Sequence, residues 1–236
     1  MSLPVLYRDE HYIAVHKPPN LLVHRSWLAS QDTRFLLQML RDQIGQRVYP
    51  VHRLDRATSG VIIFGLSPDA ARELTQAFEH KRVEKVYRAL ARGWTDEQGV
   101  IDHPVRDRDE GGEPKDAVTR YRRLARIELP YAVDRYPSSR YSLVEVWPQS
   151  GRRHQIRQHF KHIFHPLVGD TTYGKGSHNR FFRENFGLQR LMLVSCSLGF
   201  NHPYEGERIE IRARNEEEWQ PLLADPRWHW DLAPKR

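Results

Sequence analysis

Alternating apolar and polar positions mark the first elements of the chain. Val5–Tyr7 and Tyr12–His16 read as strands, and Lys17-Pro18-Pro19-Asn20 breaks the second. Leu36, Met39, Leu40 and Gln43/Ile44 recur at helical spacing, which predicts a helix to Gln43 with Asp32 as N-cap and Gly45 as stop. Val48–Leu54 and Val61–Leu66 read as strands. Ser67-Pro68 supplies a cap and a first-turn proline for a helix to about His80, with Ala71, Leu74, Thr75 and Phe78 facing the core. Val83–Arg92 reads as a further strand, ended by Gly93.

Residues 106–116 are polar, charged and glycine-containing, the composition of an exposed loop. Val118–Leu129 and Arg140–Trp147 alternate like sheet strands. A helix over Arg153–Ile163 follows Gly151, and His165-Pro166 ends it. The stretch 169–187 reads as a long connection. Leu191–Phe200 and Arg208–Arg212 read as a strand pair, and a last short helix follows Asn215, capped by that asparagine, its first turn rich in glutamate. Without repeats or a linker between two cores, the pattern predicts one α+β domain over residues 1–236: a large mixed or antiparallel sheet with a few helices. No separate module is expected ahead of it, since the first strand begins by Val5.

Composition adds charge. Lys plus Arg number 37 against 30 for Asp plus Glu, a net charge of +7, and 30 of the 37 are arginine. Arginine offers a fork for phosphates and a flat face for bases, so the balance fits a nucleic-acid binder. It fits equally a soluble protein from a GC-rich genome. The single cysteine, Cys196, excludes an intramolecular disulfide and lies in an apolar run, where a buried inert thiol is expected. No apolar stretch is long enough for a membrane span and no signal peptide stands at the start, so no membrane association and a cytoplasmic location are expected.

The run His52-Arg53-Leu54-Asp55-Arg56-Ala57-Thr58-Ser59-Gly60 places one carboxylate between two arginines, at the end of a predicted strand. Neighbouring guanidinium groups favour the anionic form of Asp55, which suits a nucleophile or base rather than an acid. Two more segments stand out: Glu84-Lys85-Val86-Tyr87-Arg88-Ala89-Leu90 and Ser150-Gly151-Arg152-Arg153-His154-Gln155-Ile156-Arg157-Gln158-His159. The second opens a helix, where backbone amides and the helix dipole attract phosphate. His154, His159, His162 and His165 crowd that helix, yet no carboxylate or cysteine accompanies them at ligand spacing, so no metal is expected.

In their order and separation the three segments resemble the RluA-like family of pseudouridine synthases. Ala14-Val15-His16-Lys17-Pro18-Pro19, Leu22-Val23-His24, His165-Pro166-Leu167-Val168-Gly169-Asp170 and Tyr173-Gly174 agree with that likeness, which covers nearly the whole chain. Leu22–Leu28, Arg41–Gln46, Arg135–Tyr141 and Asn185–Leu193 carry a closer similarity to its tRNA-acting branch. The resemblance implies isomerisation of a uridine near the tRNA acceptor stem, at position 65, without any cofactor. It implies Asp55 as nucleophile, Arg157 as its ion-pair partner and Tyr87 as the wall stacked on the base. It further implies Arg53, on the far side of the strand, as filler of the gap left by a flipped uridine, and Leu193 as apolar floor. The usual Leu-His-Ala reads Leu193-Val194-Ser195 here, which puts no histidine at that position and leaves the apolar floor intact. Arg56, Arg152, Arg153 and His154 are candidate RNA contacts. A ribosomal uridine as target, or a non-catalytic RNA-binding or RNA-folding role, stays open at this point. No protein partner is evident. An ordinary glycosidase, which needs two carboxylates, fits less well, since only Asp55 has a motif.

Overall fold

The computed structural model describes residues 2–24, 34–107 and 111–231. They gather in two compact units, Met1–Val86 with Val194–Arg214 and Tyr87–Leu193 with Asn215–Arg236. The α+β class and the mixed sheet predicted from the sequence are both present.

In the first unit, β1 (Val5–Arg8), β2 (Tyr12–Lys17), β4 (Ser59–Gly65) and β9 (Leu193–Asn201) lie in that order. β10 (Arg208–Arg212) pairs with β9, and the short β3 (Tyr49–Pro50) pairs with the end of β4. All pairs are antiparallel except β4 with β9. Helix α2 (Pro68–Glu79) packs Ala70, Ala71, Leu74 and Ala77 against Val61 and Ile63 of β4 and Leu198 and Phe200 of β9. Its cap is as expected: the Ser67 hydroxyl accepts the Ala70 N–H at 3.1 Å.

Gly60 makes the parallel pairing of β4 with β9 possible. Its φ is +108°, and a Cβ there would lie 2.2 Å from the Ser195 carbonyl oxygen. The obstacle is backbone, so it cannot swing aside. Gly60→Ala is expected to lower stability by roughly 2–5 kcal/mol, combining strained φ with overpacking. Urea unfolding would read this as a lower midpoint at unchanged slope.

In the second unit the order is β5 (Glu84–Arg92), β8 (Ser139–Pro148), β7 (Val118–Leu129) and β11 (His229–Trp230), with β6 (Gln98–Asp102) beside β7. Two buried arginines fasten the C-terminal segment. Arg190 donates to Glu216 at 2.7 Å, and Arg123 reaches Asp231 at 2.6 Å.

Several expectations need correction. Only Tyr49–Pro50 of the predicted strand Val48–Leu54 is a strand, and Val51–Thr58 is loop and turn. Asp55 therefore sits in a loop before β4, and Arg53 has no strand face to point from. Helix α1 spans Leu36–Ile44, and the predicted cap Asp32 lies outside the described residues. The predicted connection 169–187 contains helix α4 (Gly176–Phe186), which buries His178, Phe181 and Phe182 on one side. Helix α3 spans Gln155–His162, shorter than expected at its N-terminal end. The final helix is a 3-10 turn, Glu217–Trp219, leading into α5 (Gln220–Leu223), and Glu216 rather than Asn215 occupies the cap. Cys196 is half-buried on β9 rather than fully enclosed.

Candidate active site

The loop that carries Asp55 is held from three directions within the first unit. The Asp55 carbonyl accepts the Thr58 N–H at 3.1 Å, closing a tight turn through Arg56 and Ala57. Lys17, fully buried, donates from Nζ to the carbonyls of Pro18 (2.9 Å), Leu21 (2.8 Å) and Arg56 (3.0 Å). An ammonium has three N–H groups, and a buried one is tolerated only when such partners receive it. Lys17 thereby ties the Lys17-Pro18-Pro19 turn to the residue after Asp55. His52 supplies the third hold. Its ring stacks on Phe78 (centroids 4.6 Å apart, 19° between planes), and Nε2 accepts the Ile63 N–H at 3.1 Å. Burial, helped by the charge of Lys85, pulls the His52 pKa down to about 3, so the ring is a neutral acceptor. Ile63 lies between the β4 residues paired with β9 and those paired with β3. His52 occupies the ladder position that no strand fills there.

Asp55 is half-buried, while Arg53 and Arg56 are exposed on the same loop. The Arg56 Nε donates to the Asn20 carbonyl at 3.3 Å.

In the second unit, Tyr87 enters β5 half-buried and pairs with Val146 of β8. Arg157 lies on α3, buried, and closes a two-pronged bond on Asp170: Nε to Oδ2 at 2.7 Å and Nη2 to Oδ1 at 2.8 Å. Its Cζ is 5.2 Å from the centre of the Tyr173 ring. Asp170 also accepts the N–H groups of Thr172 and Tyr173, both at 2.9 Å. Burial pushes the Asp170 carboxyl up, but the Arg157 hydrogen bond and charge, with the two amides, outweigh it and hold the group below its ordinary range. Asp170 belongs to a segment noted in the sequence without any role of its own. Its partner lies thirteen positions earlier, at a spacing with no periodic signature.

The start of α3 is locked by one amide. Gln155 donates from Nε2 to the Val118 carbonyl and the Thr119 hydroxyl, both at 3.0 Å. Its Oε1 accepts Ser150 Oγ at 2.7 Å and the Arg152 N–H at 3.1 Å. His154 adopts φ 55° as the helix begins, with Nδ1 3.2 Å from the Tyr173 hydroxyl. Arg152 is exposed, and Arg153 is ion-paired with Asp107 at 3.0 Å. Leu193, at the head of β9, is buried. The other histidines near α3 also have protein partners: His159 bonds Thr119 and the His103 carbonyl, His162 stacks on His103, and His165 meets the Arg92 carbonyl. Among the described residues no helix is long and apolar enough to cross a membrane.

A family model described as RNA pseudouridylate synthase matches residues 11–162. The chain belongs to that family. The matched stretch contains Asp55, Tyr87 and Arg157, whereas Asp170 and Leu193 lie beyond it. The family likeness nonetheless continues through the rest of the chain. The sequence is 47% identical over 239 residues to a Vibrio cholerae protein named tRNA pseudouridine synthase C, covering 98% of each chain. A protein of the same name from Haemophilus ducreyi is also 47% identical, again with 98% of each chain covered. Among solved structures, human RNA Pseudouridylate Synthase Domain Containing 1 aligns with a TM-score of 0.74 at 27% identity, over 98% of this chain and 91% of that one.

Proposed function

We propose that this family member is a tRNA pseudouridine synthase of the cytoplasm that isomerises the uridine at position 65, near the acceptor stem. The observation that carries the reading is the near-full-length likeness to relatives named for tRNA, with Asp55, Tyr87 and Arg157 all in place. In this reading the Asp55 carboxylate is the nucleophile and Arg157 its electrostatic partner. Tyr87 stacks on the extruded base and Leu193 packs beneath it. Arg53 fills the gap that the flipped nucleotide leaves, recovering part of a flipping cost of a few kcal/mol. Arg56, Arg152, Arg153 and His154 face the RNA backbone.

The reaction breaks N1–C1′ and forms C5–C1′. The proton on C5 leaves, and N1 carries a hydrogen in the product. No electrons are exchanged, so the chain's own side chains suffice. Purified protein given tRNA tritiated at uridine C5 is expected to release one tritium per uridine converted. Chemical mapping is expected to place the product at position 65. A transcript with cytidine at that position is expected to release only background tritium, and full release from it would refute the assignment.

A further inference from the structure

The helix that carries Arg157 ends on an aromatic residue in the left-handed conformation. After the Ile163 cap, Phe164 adopts φ +65°, the Phe164 N–H bonds the Lys161 carbonyl at 3.0 Å, and the His165 N–H bonds the Phe160 carbonyl at 2.8 Å. This pair of bonds is the Schellman ending, in which the left-handed residue is usually glycine. In this same chain glycine fills that slot after α1 (Gly45) and after α4 (Gly187), each at φ +67°, while Lys81 fills it after α2 at φ +57° with the same pair of bonds. An aromatic residue there accepts steric strain, and it is normally repaid by burial. Phe164 is not repaid: it is 81% exposed, the most exposed of the large apolar side chains among the described residues.

Its surroundings favour a polyanion. No carboxylate occurs between Glu145 and Asp170, and of the cations in that stretch Arg152 and Lys161 are exposed, while Arg153 is paired with Asp107 and Arg157 is buried on Asp170. Lys161 and His162 are exposed beside Phe164, and the His162 ring lies 3.7 Å from that of His103. On the other side His165 bonds the Arg92 carbonyl and lies against Gly93. The next residue, Trp94, is flanked by the Arg140 and Arg126 guanidinium groups at 4.1 and 5.2 Å. A flat apolar face among cations suits a nucleobase, which has an aromatic face of its own on a phosphate backbone.

We propose that Phe164 is a stacking post for an unpaired base of the RNA substrate. The inference rests on the tRNA reading above. It also explains why a strained aromatic stands where glycine would be easier.

The test is Phe164→Gly, read by thermal unfolding, by the Kd for full-length tRNA and by tritium release. The strain is relieved, so the unfolding midpoint is expected to rise by about 2–4 °C. The Kd is expected to rise roughly tenfold through loss of one stack, and kcat/KM to fall by a similar factor. Phe164→Trp is expected to restore binding. The slope of log Kd against log salt is expected to stay the same, since no phosphate contact is removed. An unchanged Kd in Phe164→Gly overturns the proposal. So does a wild-type dimer that the substitution turns into a monomer, which would make Phe164 a contact between copies. The functional reading fails separately, if wild-type protein binds tRNA without releasing tritium.

Discussion

Asp55→Asn is expected to abolish tritium release from C5-labelled tRNA, by roughly 10⁴-fold or more, the scale seen when a covalent nucleophile is removed. Binding of the tRNA is expected to stay within about twofold. The prediction is this sharp because the loop is held by groups other than the carboxylate. Its turn closes through the Asp55 backbone carbonyl, Lys17 grips the Arg56 carbonyl, and His52 accepts the Ile63 N–H. Asparagine keeps the size of the side chain and all three holds, while an amide cannot form the bond to the substrate. A variant that retains a tenth of wild-type turnover would exclude Asp55 as nucleophile. A variant that loses affinity as steeply as turnover would point instead to a role in binding.

Asp170→Asn is expected to act one step removed. The Nε edge of Arg157 would then face an N–H group in place of Oδ2, and the buried guanidinium would lose one of its two bonds to residue 170. Breaking a buried pair from one side costs roughly 3–5 kcal/mol, which urea unfolding would register. As a positioning residue, Asp170 should also matter to kcat more than to the KM for tRNA, measured well below the unfolding transition. Equal changes in the two would mark its role as structural only. The pH dependence has a definite sign. The folded carboxyl lies below its ordinary value, so its contribution is fully present above the unfolded pKa of about 3.9 and is lost as pH falls through the folded one. The wild type should lose stability across that acid window, and the asparagine variant should lose less.

Elements built on their own local pattern were legible in the sequence. The cap of α2, the long alternation of β7 and the β9–β10 pair match the structure, while the buried face of α2 keeps Ala71 and Leu74 of the predicted set and adds Ala70 and Ala77, with Thr75 and Phe78 half-buried. Helix α4 escaped notice because it opens on Gly176-Ser177 and carries Asn179 and Asn185, and its burial depends on a few aromatic rings and His178 rather than an aliphatic stripe. The strand predicted across Val48–Leu54 failed for the opposite reason: apolar Val51 and Leu54 are buried as loop anchors, without a ladder. The site shows the same division. The loop around Asp55 stands out as a contiguous motif, whereas the supports Lys17 and Asp170 work across gaps in sequence. An isolated lysine or aspartate gives no sign of the carbonyls or guanidinium it will meet.

The order of synthesis adds a demand on the first unit. Its strands β9 and β10 are made only after the whole stretch Tyr87–Leu193, roughly a hundred residues later. At about 5–20 residues per second the wait lasts on the order of 5–20 s. Until then one edge of β4 lacks the strand that will cover Ser59 and Gly60, and open edges invite pairing with other chains. His52 on the Ile63 N–H and β3 on Phe64 and Gly65 come from the segment already made. They shorten the edge that a nascent chain must shield, at Ser59 and Gly60, until β9 arrives.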